Sequence, residues 1–183
     1  MPEERLDGWL AHRSPNYPAD AWTRKGDTIV GHIEGNKYGR IISGDQNWES
    51  YEFSIKATLE SGSNLQIVFR VSEGGHYMLD FLTGWQYVAI SKKTKEPGVT
   101  KLDVANFKTE KGREYDITIA VQDQSITSYI DGVRINNLTD DSFSHGRVGF
   151  LMWHGAKVKS REPRIRVYER KRIKKDDHDH DHE

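Results

Sequence analysis

Apolar and polar residues alternate with a period of two along most of this chain. In the segments 51–59, 64–71 and 114–121, every second side chain is apolar and most of the residues between are polar. A period of two places successive side chains on opposite faces of an extended backbone, which is typical of a strand with one face in a core and the other toward water. These segments are therefore predicted to be half-buried β-strands.

Turn-forming sequences separate these runs at short intervals. They include "ESGSN", "SEGG", "EKG" and "QDQ". Sustained helical periodicity is lacking, and the segment 103–107 could hold one short helical turn or none. Many short strands at such spacing favour a β-sandwich of two facing antiparallel sheets, here an all-β, concanavalin-like jelly roll. Further strands are predicted at 28–33, 39–44, 76–82, 86–91, 146–153 and 163–169.

The pair Asp131-Gly132 lies between two alternating runs in "QSITSYIDGVRINNL". Asp and Gly tolerate the positive φ angles of a type I′ turn, so the pair predicts a tight β-hairpin. A register with Ile130 opposite Val133 brings Ile135 opposite Ser128. The sequence thus assigns Asp131 to a turn, and the functional residues are expected elsewhere.

Composition excludes several classes of protein. The chain has 183 residues, no cysteine, 27 basic and 28 acidic residues and a net charge of −1, which argues against disulfides, thiolate chemistry and nucleic-acid binding. No apolar run approaches the roughly 20 residues of a membrane-spanning helix. The N-terminal "MPEERLDGWL" lacks a signal-peptide pattern, so either a cytoplasmic location or export with a signal removed is compatible with it.

The C-terminal segment 170–183, "RKRIKKDDHDHDHE", has a single apolar residue. Such a composition cannot bury enough surface to fold, so the segment is predicted to be a disordered tail after a domain spanning 1–169. His178, His180 and His182 alternate with carboxylates, a pattern that binds Ni²⁺, Zn²⁺ or Cu²⁺ in vitro. Two interpretations stay open: metal capture, and a solubilising tail with adventitious affinity.

Several segments, in this order, resemble the 3-keto-disaccharide hydrolase-like domain family, a group of concanavalin-like jelly rolls. Laminin-G-like and carbohydrate-binding jelly rolls share the second half of the pattern. The segments that carry the resemblance are "LDGW", "AWTRKGDTIVG", "GRIISGDQNWESYEFSIKAT", "NLQIVFRVSEGGHYMLDF", "SITSYIDGVRI", "GRVGFLMWHG" and "PRIRVYE".

The resemblance implies a jelly roll that handles a saccharide ligand on a concave sheet face. Some members of the family are assigned the hydrolysis of 3-keto-glycosides, others look like binding modules, and a laminin-G-type protein-interaction module is a third alternative. The fold alone does not select among these functions.

Sugars are bound by polar side chains that pair with hydroxyls and by aromatic rings that stack on C–H faces. Gln66 and Arg70 are predicted on the non-core face of one strand, and Asp80 on the same face of the next. The turn at 72–75 is expected to bring Arg70 close to Asp80, with His76 at the rim. The alternative for the charged pair is an ordinary surface salt bridge.

Trp85, Trp153 and His154 lie at strand ends, where an exposed ring can serve as a stacking platform. Packing in the core or at a sheet edge is the alternative for the tryptophans. For an enzyme, Asp80, Glu52 or His154 could act as base, with Arg70 or a metal stabilising an enolate. The implied fold often carries structural Ca²⁺, although no loop shows a recognisable ligand spacing.

Overall fold

The computed structural model describes residues 3–62, 64–82, 86–153 and 155–168. All helix or strand assigned within these ranges is β-strand, and the strands form two antiparallel sheets, which confirms the predicted all-β sandwich. In the described part of the chain, no helix has the length and apolarity needed to cross a membrane.

The first sheet has eight strands. They are β1 (Glu4–Arg5), β3 (Trp22–Lys25), β4 (Thr28–His32), β6 (Tyr51–Ser61), β11 (Glu114–Gln122), β12 (Ser125–Ile130), β13 (Val133–Thr139) and β15 (Lys157–Val167). Their spatial order is β13-β12-β11-β6-β15-β4-β3, and β1 pairs with β15. Strands distant in sequence are therefore neighbours, as in a jelly roll.

The second sheet has seven strands. They are β2 (Leu10–Ala11), β5 (Tyr38–Ser43), β7 (Asn64–Ser72), β8 (Gly75–Leu82), β9 (Tyr87–Thr94), β10 (Thr100–Asn106) and β14 (Arg147–Trp153). Their order is β10-β9-β8-β7-β14-β5-β2. The segment 103–107, for which one helical turn was an alternative, contributes to β10 instead.

The core lies between the sheets and follows the predicted alternation. Phe53 and Ile55 from the first sheet, and Ile67, Tyr77 and Phe150 from the second, are at most 1% exposed. Apolar side chains at every second position thus fill the space between two inner faces, and their burial is the main stabilising contribution to the sandwich.

The predicted Asp131-Gly132 hairpin is confirmed. Both residues have positive φ, 50° and 80°, and Ile130 pairs with Val133. The Asp131 Oδ1 atom accepts a hydrogen bond of 2.9 Å from the backbone N–H of Asp116. The aspartate therefore closes the turn and ties it to the neighbouring strand β11.

The register beyond this turn differs from the prediction. It shifts between Ser128 and Tyr129, so that Asn136 instead of Ile135 lies opposite Ser128. The bulge gives a polar residue an inward position, and Asn136 is fully buried. A regular two-residue alternation cannot anticipate an inserted residue in one strand.

Asn136 connects the two sheets at one edge of the sandwich. Its Nδ2 group donates to the Asp103 carboxylate at 2.7 Å and to the Val88 carbonyl oxygen at 3.3 Å, both in the second sheet. Its Oδ1 atom accepts from the Ser128 hydroxyl at 2.8 Å. One buried amide thus satisfies polar groups of three other strands, which offsets the cost of its own burial.

We expect Asn136→Ala to lower the free energy of unfolding by about 2–3 kcal/mol, because it leaves buried hydrogen-bonding groups unpaired. Asn137→Ala, in the exposed neighbouring position, is the matched control and should change stability by less than about 0.5 kcal/mol. Urea denaturation followed by tryptophan fluorescence measures both. Equal midpoints for the two variants would contradict this role for Asn136.

Candidate functional site

Three polar side chains lie together on the outer face of the second sheet, the face directed away from the core. Gln66 on β7 pairs with Asp80 on β8, and Asn64 is two residues from Gln66 on the same face. All three are buried, with exposed fractions of 4% for Gln66, 7% for Asp80 and 5% for Asn64. Polar side chains on an outward face are normally solvated, so this burial requires an explanation.

A small apolar cluster adjoins these polar residues on the outer face. It consists of Val68, Val71 and Met78, with Leu151 from β14 packed against it. These side chains are separate from the main core between the sheets. The middle of the outer face is therefore shielded from water, and polar groups within it interact with a low-dielectric surrounding.

Burial has the largest effect on the pKa of Asp80, which has no directly paired cation among the described residues. It raises the pKa of Asp80 to about 6, against lowering contributions from hydrogen bonds of Gln66 and Asn64 and from the charge of Lys101. A carboxylate in this environment is a strong hydrogen-bond acceptor whose ionised form is costly to maintain. Perturbed carboxyl groups of this kind are concentrated at functional sites.

Four buried polar atoms on the β7, β8 and β9 part of this face have no hydrogen-bond partner among the described residues. They are Asn64 Oδ1, His76 Nε2, Asp80 Oδ1 and Ser91 Oγ, on the adjacent strands β7, β8 and β9. An unpaired buried polar atom costs about 1–3 kcal/mol, and native proteins contain few of them. Their concentration on one face makes this part of the sheet the candidate functional site.

His76 is a neutral member of this group at physiological pH. Burial first, then the positive charges of Arg40 and Lys93, lower the pKa of His76 to about 4. Lys93 is its register partner on β9. A neutral imidazole offers one donor and one acceptor, which suits an uncharged hydroxyl as well as an anion.

Aromatic side chains flank the polar group at one end of the sheet. Trp153 on β14 pairs with Tyr38 on β5, and Trp153 is partly buried while Tyr38 is 40% exposed. On the other side, Tyr87 on β9 lies beneath the Lys101 ammonium, 5.1 Å from the ring centroid. These partly exposed rings thus lie beside the buried polar group on the same outer face.

Arg70 has a different place from the one predicted. It adopts a positive φ of 47°, and the register of β7 shifts on both sides of it, toward β8 and toward β14. This β-bulge turns its side chain to the end of the sandwich, where it is 1% exposed. Four positions separate Arg70 from Gln66, the partner of Asp80, so the expected approach of Arg70 to Asp80 is wrong.

The guanidinium of Arg70 instead joins two loops. It donates to the Glu49 carbonyl oxygen from Nε at 3.1 Å and from Nη2 at 2.8 Å, and to the Phe143 carbonyl oxygen from Nη1 at 3.1 Å. Its backbone N–H donates to the Tyr51 hydroxyl at 2.7 Å. Arg70 is thus a buried clamp between the sheets rather than a member of the outer-face group.

The remaining predicted residues are distributed as follows. Trp85, His154 and the tail histidines His178, His180 and His182 lie outside the described residues. Glu52 belongs to the first sheet and pairs with Arg166 at 3.4 Å, on the side of the sandwich opposite Asp80. Within the described ranges, no group of three or more His, Cys, Asp or Glu residues is arranged to hold a metal ion.

Asn64, Ser91 and Arg40 are outer-face residues that the sequence analysis did not select. Strand alternation could have identified Asn64 and Ser91, because it puts Asn64 on the face of Gln66 and Ser91 on the face of Tyr87. The contribution of Arg40 depends on sheet order, which brings β5 next to β14. Alternation within one strand contains no information on that order.

Comparison with solved structures identifies the fold. The carbohydrate binding module CBM66 from Bacillus subtilis matches with a TM-score of 0.72 at 14% identity, covering 87% of this chain and 96% of that chain. A Bacillus licheniformis beta-glucanase matches with a TM-score of 0.65 at 13% identity, covering 90% and 92%. At such identities the likeness establishes a concanavalin-like jelly roll.

Sequence comparison with curated proteins finds a relative. An extracellular exo-alpha-L-arabinofuranosidase from Streptomyces chartreusis is 32% identical over 125 residues, which cover 67% of this chain. The match spans only 15% of the length of that enzyme. No family model matches the chain, so its resemblance to the 3-keto-disaccharide hydrolase-like family stays a prediction.

We expect Arg70→Met to lower the free energy of unfolding by about 2–4 kcal/mol, because it removes charge-assisted hydrogen bonds to buried carbonyls while keeping an apolar stem. Arg113→Met, at an exposed arginine, is the control and should change it by about 0–1 kcal/mol. Chemical denaturation measures both. A loss no greater than that of the control would contradict the clamp.

We expect Asp80→Asn to become more stable relative to the wild type as pH rises from 4 to 7. The folded-state pKa of Asp80 is raised to about 6. The contribution of the protonated carboxyl to stability is therefore complete only below the pKa of Asp80 in the unfolded state, and it is lost as pH rises through about 6. The relative gain should reach about 2–3 kcal/mol. Urea denaturation at several pH values measures it.

Glu114→Gln is the opposite-sign control for this measurement. The hydrogen bonds from Arg161 lower the pKa of Glu114, so its ionised form stabilises the fold above the unfolded pKa and that contribution is lost as pH falls. The Gln variant should therefore lose stability relative to the wild type as pH rises. Parallel pH profiles for the two variants would show that Asp80 is not destabilised by burial.

Proposed function

We propose that this chain is a carbohydrate-binding module that recognises a saccharide on the outer face of its second sheet. The observation that carries the proposal is the set of four buried, unpartnered polar atoms at Asn64, His76, Asp80 and Ser91. A saccharide presents hydroxyl groups that both donate and accept, and it would complete these atoms in one binding event. The jelly-roll fold shared with carbohydrate binding module CBM66 supports this proposal.

Each part of the face has a chemical role in this account. Asp80 Oδ1 accepts from a sugar hydroxyl, in a charge-assisted bond that is stronger because the carboxylate is shielded from water. Gln66 and Asn64 hold that carboxylate in position through their amides. Trp153 and Tyr87 offer ring faces to the apolar C–H surface of the sugar.

The curated relative suggests which saccharides to try first. Because that relative is an extracellular arabinofuranosidase and the match covers 15% of it, we infer that this chain corresponds to an accessory module of a carbohydrate-active enzyme. Polysaccharides that carry arabinofuranose, such as arabinan and arabinoxylan, are therefore the first probes. In this account the module holds the enzyme to its polymer and does not itself cleave a bond.

Hydrolysis of a 3-keto-glycoside at the same face is the second candidate, favoured by the pKa of Asp80 near 6. A general base acts best when its pKa is close to the working pH. The ketone of such a sugar acidifies the neighbouring C–H bond. Asp80 would accept that proton, the enolate would expel the aglycone, and water would add to the resulting double bond.

Affinity electrophoresis in gels containing arabinan or arabinoxylan tests binding. We expect the wild type to be retarded, and Asp80→Asn and Trp153→Ala each to lose about 10- to 100-fold in affinity, because a charge-assisted bond or a stacking surface is removed. Glu114→Gln on the first sheet is the control and should migrate like the wild type. Retardation that is equal in all four proteins would place binding elsewhere.

Incubation with a 3-keto-glycoside separates the two candidates. The binding module leaves the substrate intact, whereas the enzyme releases the aglycone at a rate that falls in Asp80→Asn and rises with pH through about 6. Absence of both binding and turnover across a broad glycan array would refute the carbohydrate proposal. That result would favour a protein-interaction module of the laminin-G type.

A further inference from the structure

The two outer faces of the sandwich differ in the ion pairing of their basic residues. On the first sheet, several arginine and lysine side chains pair with carboxylates, among them Arg161 with Glu114 at 2.7 Å and Arg164 with Asp116 at 3.4 Å. On the second sheet, no described carboxylate lies within ion-pair distance of Arg40, Lys93, Lys101 or Arg147. Asp80 is a single, buried acid among them.

Register places part of this charge in one row across four strands. Arg147 on β14 pairs with Val71 on β7, and His76 on β8 pairs with Lys93 on β9. Because β7 lies between β14 and β8, Val71 separates Arg147 from His76, and Lys93 lies on the other side of His76. Arg147 alternates with the buried Val148 and His76 with the buried Tyr77, so the two side chains share the outer face.

Two nitrogen atoms in this row are buried without a partner in the described structure, Arg147 Nε and His76 Nε2. Register places Arg40 in the neighbouring row with Leu151, Gln66 and Asp80, and its positive charge contributes to lowering the pKa of His76. Gly149, which pairs with both β5 and β7, has no side chain to separate them. The Lys93 ammonium is already used, donating to the backbone oxygens of Thr94 at 2.8 Å and Glu96 at 2.6 Å.

Buried guanidinium nitrogen without an acceptor is unfavourable, and a planar anion satisfies it best. We propose that the saccharide bound on this face carries a carboxylate, as a uronic acid does, and that Arg147, Arg40 and His76 bind it. This inference rests on the proposed function and specifies the ligand class. Asp80 then binds hydroxyls of the glycan at the other end of the face, four residues away along β8.

Carboxylate and phosphate or sulfate oxygens all pair with arginine, but the surroundings favour the carboxylate. The row includes one apolar neighbour, Val71, and the apolar cluster with Met78 adjoins it. A uronic acid presents its single charge beside the C–H surface of a ring, which matches guanidinium groups next to valine and methionine. Only one acid group of the ligand has to be desolvated there.

A matched pair of polymers tests the proposal: glucuronoarabinoxylan, and the same polymer after its carboxyl groups have been reduced to alcohols. Affinity electrophoresis with the full chain should show about 10- to 100-fold weaker binding to the reduced polymer, because charge-assisted hydrogen bonds are lost. Arg147→Gln should bind both forms equally, at the level of the wild type on the reduced form. Arg161→Gln, on the first sheet, should keep the wild-type preference.

The outcomes separate this inference from the proposed function. If the wild type binds the native and reduced polymers equally, the carboxylate proposal is refuted while carbohydrate binding stands. If Arg147→Gln keeps the wild-type preference, the carboxylate is bound elsewhere and the proposal is refuted as well. Failure to bind either polymer, or any member of an array of neutral and acidic polysaccharides, refutes both.

Discussion

Strand β7 is buried on both of its faces, and the rest of the structure depends on that constraint. Its inward residues fill the space between the sheets, as in any sandwich. Its outward residues from Asn64 to Val71 are also buried, although the first sheet lies on the other side. A strand in this position needs neighbours whose side chains cover it, and β8 and β14 provide Met78 and Leu151. The low-dielectric outer face results from that arrangement.

The bulge at Arg70 and the buried carboxylate of Asp80 follow from the same strand. The bulge ends the regular pairing of β7, sends one guanidinium into the end of the sandwich, and turns Val71 outward to extend the apolar cluster. At the other end, Gln66 and Asn64 hold Asp80 where water has little access. Strand β7 thus contributes a stabilising clamp and helps to bury a destabilising carboxylate on β8. The destabilisation by the buried Asp80 carboxylate is expected where a site is arranged for a ligand rather than for stability.

Much of the fold could be predicted from the sequence, and the reason is physical. Alternation in 51–59 and 114–121 defines which face is buried, and Asp131-Gly132 defines a hairpin, because both depend on local backbone geometry. The bulges at Arg70 and near Ser128 escaped prediction, since an inserted residue changes the face of a side chain without altering the local pattern. Alternation correctly put Gln66 and Asp80 on one face. It could not place Arg40 or Arg147 on the same sheet face as His76, because that arrangement depends on the order of strands in the sheet.

The central claim is that the outer face of the second sheet binds the saccharide, and NMR titration tests it most directly. The side-chain amide groups of Asn64 and Gln66 and the indole N–H of Trp153 are reporters within that face. Titration with oligosaccharides prepared from glucuronoarabinoxylan should shift these signals and the backbone amides of β7, β8 and β14, leaving β11 to β13 unchanged. Shifts confined to the first sheet, with the signals of Asn64 and Gln66 unmoved at saturation, would contradict the account.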